Sequence, residues 1–390
     1  MTRPGLKRLL MLCYFYPPVL AAGTQRSVAF ATRLHTTGWQ PLILTVRRSR
    51  NRFEASGEPE PPGVEVVRTH EWNLQGLVLF TYGALQRVLR LIGRPMKQNH
   101  FYYWAFPDFQ IAWASTLKGS RLARDTDCIY ASCSPFSSAI SACWIKKMTG
   151  KPLVLDFRDA WSLNPHRRVP GYVQRWTKRA ERYCLRHCDA LIVNTEGARQ
   201  LYLAAYPEYA AKIVTIPNGF DGLNLPATPI AASAVGPAGA AGTGADDRAD
   251  RAATERFTIM HVGDFYGGRQ PDLLLETLAE INDPRVEFVQ IGAPFPSEDR
   301  FRDRVRLRRI DKVSNAEALK LMQTASVLYL KQGFEPGVSH YIAVASKSYE
   351  YLSTGLPILA DCPPGDNLEL IRRYARQAWL VDTQTPEAMR

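Results

Sequence analysis

The chain has 390 residues, 22% charged and 46% hydrophobic, which excludes a disordered chain and is long enough for two domains. Its net charge is +12, but residues 1–225 hold 30 Lys+Arg against 15 Asp+Glu and residues 226–390 hold 19 against 22. The basic character therefore belongs to the first part, which suits an anionic surface or polymer. From the N-terminus, "LLMLCYF" is too short for a secretory signal and runs into Tyr16-Pro17-Pro18, so it reads as the end of a buried strand, KRLLMLCYFY. "GTQRSVAFATRLHTTGW" follows with Val28, Ala31, Leu34 and His35 at helical spacing and a stop at Gly38. "QPLILTV" is the next strand, completing a strand–helix–strand unit of the kind that builds a parallel sheet.

Residues 76–97 interleave Leu77, Val78, Leu79, Phe80, Leu85, Val88, Leu89, Leu91 and Ile92 with Arg87, Arg90, Arg94 and Lys97. The stretch is too short and too charged to span a bilayer. It suits a helix lying at an anionic membrane interface, with a helix covering the first domain as the equal alternative. Further strand-like runs at "CIYAS", "PLVLDF", "ALIVNT" and "KIVTIPN" complete a first α/β domain over residues 1–225. Residues 226–255, rich in Ala, Gly and Pro and without an aromatic residue, read as a low-complexity linker or insertion. Residues 256–390 repeat the strand–helix pattern from "FTIMHVGDF" through "SKSYEYLSTGLPILAD". Two such domains would face each other across a cleft at the carboxyl ends of their strands, where ligands bind in open α/β sheets.

The seven cysteines are odd in number and irregular in spacing, which fits a reducing, cytoplasmic compartment. Cys184-x-x-x-Cys188 with His187 lacks a second ligand pair, so no zinc is expected. Four stretches at predicted strand ends carry candidate chemistry. Gly23 and Thr24 open the first helix, where a glycine lets backbone N–H groups approach an anion, although a simple turn explains one glycine as well. Asp156, Arg158 and Asp159 end an apolar strand, where three buried charges need pairing or a purpose. Gly263 ends the first strand of the second domain, and Gly267-Gly268-Arg269 follows, with an arginine suited to clamp phosphate. Ser346 and Lys347 begin a helix whose free N–H groups and dipole suit a diphosphate, and Glu350 one turn later suits a pair of ribose hydroxyls.

These stretches, taken in order with "VTIPNGFD" at residues 214–221, resemble family 4 glycosyltransferases of the two-domain GT-B fold, closest to members that build bacterial surface polysaccharides. The resemblance implies a retaining, metal-independent sugar transfer from a nucleoside diphosphate sugar, with no cofactor. The donor is expected mainly in the second domain and a carbohydrate or lipid-linked acceptor in the first. No nucleic-acid partner is expected, because the arginines of the basic half are scattered across several predicted elements and form no recognised nucleic-acid module. The resemblance assigns Glu350 to the ribose, Arg269 to the leaving diphosphate, and Arg158-Asp159 to a cleft-facing position where many relatives have His-Asp. The cysteine usage places the protein in the cytoplasm, as a peripheral protein on the inner face of the membrane if residues 76–97 dock there. The pattern departs from the family at Ile342, where relatives carry a first glutamate, with Glu335 and His340 as nearby polar candidates. Asp264 stands where relatives have arginine, and "TPEAMR" stands where they continue into a C-terminal crossover helix. Two other readings stay open: a nucleotide-sugar-binding or scaffold subunit without turnover, and another GT-B enzyme such as a sugar-nucleotide epimerase.

Overall fold

The computed structural model describes residues 5–19, 23–47, 60–94, 105–113, 115–220, 256–335 and 337–390. The low-complexity segment 226–255 lies outside them, as do Lys97 and Asp221. The chain divides into two compact units, Met1–Pro217 and Asn218–Arg390.

The first unit is built on a seven-stranded sheet in the order β3-β2-β1-β4-β5-β6-β7, parallel throughout. Its strands are β1 (Lys7–Cys13), β2 (Trp39–Val46), β3 (Glu65–Thr69), β4 (Cys128–Cys133), β5 (Leu153–Phe157), β6 (Ala190–Val193) and β7 (Ile213–Thr215). Helices α1 (Thr24–Arg33), α2 (Leu74–Leu91), α3 (Ser115–Arg124), α4 (Ser137–Thr149), α5 (Gly171–His187) and α6 (Glu196–Ala205) connect them. The central strands read as near-continuous apolar runs because helices cover both faces of such sheets. Leu9, Met11, Cys13, Ile43 and Tyr130 form part of one buried cluster.

The second unit has a six-stranded parallel sheet, β10-β9-β8-β11-β12-β13. Its strands are β8 (Phe257–Val262), β9 (Val286–Ile291), β10 (Leu307–Ile310), β11 (Val327–Lys331), β12 (Ile358–Asp361) and β13 (Ala378–Val381). Its helices are α7 (Asp272–Ile281), α8 (Glu298–Phe301), α9 (Asn315–Met322), α10 (Ser346–Thr354), α11 (Asp366–Tyr374) and α12 (Pro386–Met389). Successive strand residues point to opposite faces, and the core divides accordingly. Met260, Val289, Leu328 and Leu330 pack on one side. Ile259, Phe288, Val327 and Tyr329 pack on the other.

In each unit the strand order reverses once, between β1 and β4 and between β8 and β11. Such switch points open a crevice beyond the carboxyl ends of the strands. The sequence expectation located the central strands. It omitted the edge strands β3, β10 and β13; in the first two, Glu65, Arg68, Arg308 and Arg309 interrupt the apolar pattern, as charges on edges commonly do, and β13 is only four residues long.

Candidate functional site

In the second unit, β8 ends in His261-Val262 beside the switch point, and Gly263 follows. Gly263 has φ +118°, which an L side chain rarely adopts, and a Cβ there would lie 2.8 Å from Lys347 Nζ. The glycine therefore makes room for an ammonium group. Lys347 reaches it from the first turn of α10, where Ala345 is extended and no side chain caps the helix. Ser346 is the exposed first helical residue. The N-terminal N–H groups and the positive end of the helix dipole thus lie beside Lys347.

Lys347 Nζ is 3.1 Å from His261 Nε2. Burial, and then the charge of Arg269, push the lysine down from 10.5 to about 8. Arg269 lies over the Tyr266 ring, 4.7 Å from its centroid, and its Nη1 donates to the Tyr266 hydroxyl at 2.5 Å. Two cations within electrostatic reach of one another, beside a helix N-terminus, are mutually unfavourable until an anion joins them. Glu350, one turn further along α10, accepts from Asn315 Nδ2 at 3.1 Å, and burial raises its carboxyl above the ordinary value. Asn315 opens α9, whose N-cap Ser314 accepts from Glu317 N. The structure thus brings Gly263, Arg269, Lys347 and the start of α10 together, with Glu350 on the same helix.

The positions that depart from the family pattern have their own partners. Asp264 accepts from Ala293 N at 2.8 Å and pairs with Lys312 at 2.6 Å, so its carboxylate is committed to neighbouring loops. Ile342 is 7% exposed. His340 is exposed and 3.1 Å from Asp366, and Glu335 is exposed.

In the first unit, the glycine of α1 serves a different purpose from the expected turn. Gly23 has ordinary dihedrals, φ −92° and ψ −8°, but a Cβ would fall 1.5 Å from Arg158 Nη1. The guanidinium packs directly on the bare backbone and donates to the Ser134 carbonyl. Gly23, Ser134 and Arg158 follow β1, β4 and β5, so they gather beside that unit's switch point. The expectation of three charges buried together at the end of β5 needs correction. Only Asp156 is fully buried, Arg158 is partly buried and Asp159 is exposed. Asp156 pairs not with Arg158 but with Arg26, Nε to Oδ2 at 2.7 Å, and also accepts from the Tyr130 hydroxyl. Burial opposes the Arg26 charge, yet Asp156 outweighs it and raises the guanidinium's pKa. Removing either partner would strand a buried charge. Arg26 also donates to the carbonyls of Ile216 and Pro217 at 2.9 Å each, tying down the last residues of the unit.

Sequence reasoning missed Arg26, Asn315 and His261. A polar residue at a helix start or strand end was the available signal, but their partners lie 130, 35 and 86 residues away. Among the described residues, no three of His, Cys, Asp and Glu gather as a metal-ligand group. Cys184 and Cys188 are buried, and burial pushes Cys188 up to about 12.

The family described as "Glycosyl transferase 4-like domain" matches residues 23–219, more than half of the chain. No curated protein matches the chain by sequence. Among solved structures the chain is similar to sucrose-phosphate synthase from Thermosynechococcus elongatus, with 15% identity and a TM-score of 0.61 over 98% of this chain and 88% of that one. It is similar to Anabaena HepE in complex with UDP and glucose, with 13% identity and a TM-score of 0.57 over 98% and 88%. It is also similar to the lipopolysaccharide outer core galactosyltransferase WaaB, with 12% identity and a TM-score of 0.52 over 92% and 81%. At such identities the likeness is one of fold.

Proposed function

The chain belongs to the glycosyl transferase 4-like family and has the GT-B fold of two Rossmann-like parallel-sheet domains, and from this premise we propose that it moves a sugar from a nucleoside diphosphate sugar to a hydroxyl acceptor with retention, in surface polysaccharide or glycolipid assembly. The observation that carries the donor assignment is the convergence of Lys347, Gly263 and Arg269 at the uncapped start of α10. In this reading the two cations and the helix N-terminus hold the diphosphate, and Glu350 accepts from the ribose hydroxyls. When the bond from the anomeric carbon to the diphosphate breaks, negative charge grows on the leaving oxygen. A preorganised positive site stabilises that charge without further reorganisation. The acceptor oxygen bonds to the anomeric carbon on the face the diphosphate leaves, and its proton passes to the leaving phosphate. Arg158 and Asp159, with Gly23 behind the arginine, are assigned to the acceptor side. The scheme uses neither a metal nor a cofactor besides the donor.

The test is a thermal-shift panel of UDP, GDP, ADP, dTDP and CMP on the wild type and Glu350→Ala. UDP comes first because HepE was solved with it. A ligand at a hundred times its dissociation constant stabilises the folded state by roughly 2.7 kcal/mol, a readable shift. The expected outcome is one nucleotide that shifts the wild type and not Glu350→Ala. No shift with any nucleotide, on folded protein, would overturn the donor-site assignment. A second reading, nucleotide binding without turnover, is favoured by Ile342, buried where relatives carry a glutamate. Release of UDP or another diphosphate from the matching nucleotide sugar separates the two.

A further inference from the structure

We propose that His261 is a positioning residue for anion binding: its imidazole, fixed by a backbone hydrogen bond and an aromatic stack, docks the Lys347 ammonium over Gly263. The inference deepens the donor-site reading and rests on it. A lysine is a point charge on a flexible stem, and holding it in one place costs rotamer entropy. Something at this site meets that cost before an anion arrives.

The geometry identifies the group. His261 is 1% exposed, at the end of β8. Its Nδ1 lies 2.8 Å from the Tyr329 carbonyl on neighbouring β11. A carbonyl only accepts, so Nδ1 carries the proton and Nε2 presents a lone pair. That lone pair faces Lys347 Nζ at 3.1 Å, and an ammonium only donates. The ring is stacked on Phe265, with centroids 4.1 Å apart and planes at 17°. Tyr329 is itself held, its hydroxyl donating to buried Asp361 at 2.7 Å. The tautomer, the ring plane and the acceptor direction are thus set by the strand framework.

Burial, and then the Lys347 charge, hold the imidazole well below its ordinary value, so it stays neutral and remains an acceptor. On the far side, the missing Cβ of Gly263 leaves the ammonium room. Lys347 has three N–H donors, and His261 takes one of them. The others are free to meet an anionic oxygen, with Arg269 adding the second charge.

Two amide variants separate positioning from packing. His261→Asn can keep the donor to the Tyr329 carbonyl but loses the acceptor facing Lys347. His261→Gln can place an amide oxygen near the lost Nε2. Dissociation constants would be measured by calorimetry for UDP, GDP, ADP and dTDP on the wild type, both variants, Lys347→Met and the His261→Asn/Lys347→Met double variant. For the nucleotide that the wild type binds, His261→Asn is expected to weaken binding by about tenfold, the size of one lost hydrogen bond to a charged group. His261→Gln is expected to recover most of that loss. The double variant should bind no more weakly than Lys347→Met alone, because the histidine acts through the lysine. Wild-type affinity in His261→Asn, or losses that simply multiply in the double variant, would overturn the role of His261. A folded wild type that binds none of the four, and that CMP does not shift either, would overturn the donor-site reading, and the inference with it. A measurement on the unaltered protein stands behind these variants, since a buried substitution can cost folding. Imidazole ¹⁵N spectra should show His261 as the neutral Nδ1–H tautomer. A protonated or Nε2–H ring at neutral pH would refute the docking arrangement.

Discussion

Replacing Lys347 with methionine would expose the energetic tension at the candidate donor site. A lysine held at about 8 instead of 10.5 differs by about 3 kcal/mol between its two protonation states. Lys347 is only partly buried, so solvent screening reduces this to about 1–2 kcal/mol. The sign follows from proton counting. Between pH 8 and 10.5 the unfolded lysine keeps its proton while the folded one loses it, so the wild type gains stability as pH rises. Below pH 8 both states are charged and this contribution is flat. Methionine has no such term. It leaves His261 Nε2 without its donor, which costs about 1 kcal/mol but does not vary with pH over this range. Arg269, Glu350, Asp264 and Cys362 act on Lys347 and belong to the shift itself, and His261 faces the ammonium; the substitution leaves all five residues in place. The assay is the melting temperature of wild type minus Lys347→Met from pH 7 to 10.5. For a unit of this size each kcal/mol is worth about 2–4 °C, so the difference should climb by roughly 2–8 °C across that range. A difference that stays constant would refute the argument, because it would mean that Lys347 titrates as a free lysine.

Gly23→Ala tests the packing of Arg158 on the backbone. A methyl group placed 1.5 Å from Nη1 must displace the guanidinium, so release of diphosphate from the matching donor should fall by at least about tenfold while the melting temperature changes little. Full turnover in Gly23→Ala would remove Arg158 from the catalytic scheme. The third expectation concerns α2. No helix among the described residues is long and apolar enough to cross a membrane, but α2 leaves Leu77, Phe80, Val88 and Leu91 exposed, Phe80 at 76% and Leu91 at 87%. Its Arg87 and Arg90, with Arg94 just beyond, add charge on a segment that has no acidic residue. We propose docking to anionic vesicles at low salt, lost on replacing Phe80 and Leu91 with serine and weakened by replacing the arginines. Co-sedimentation with vesicles that is indifferent to both sets of changes would refute it.

Much of this protein was legible without coordinates because its signals are local. Apolar runs marked the central strands, and helical spacing marked α1. Glycine, basic and acidic residues at strand ends picked out Gly263, Arg269, Ser346, Lys347 and Glu350, which the second unit gathers around one helix start. The edge strands were less legible, since Arg308, Arg309 and Glu65 do not have to be apolar at the margin of a sheet. The significance of Gly23 was also hidden. Its dihedrals are ordinary, and only the Arg158 side chain, 135 positions further along the sequence, explains why a Cβ is excluded.

The sequence by itself determined two α/β units and the residue types at their strand ends. The tertiary structure decided which of those residues meet. His261 and Lys347 are 86 residues apart, and Arg26 and Asp156 are 130 apart. No periodicity within a helix or strand encodes such pairs. They arise where each parallel sheet reverses its strand order, between β1 and β4 and between β8 and β11, because that reversal brings distant strand ends and helix starts to one crevice. There burial and neighbouring charge turn an ordinary lysine into one poised near pH 8.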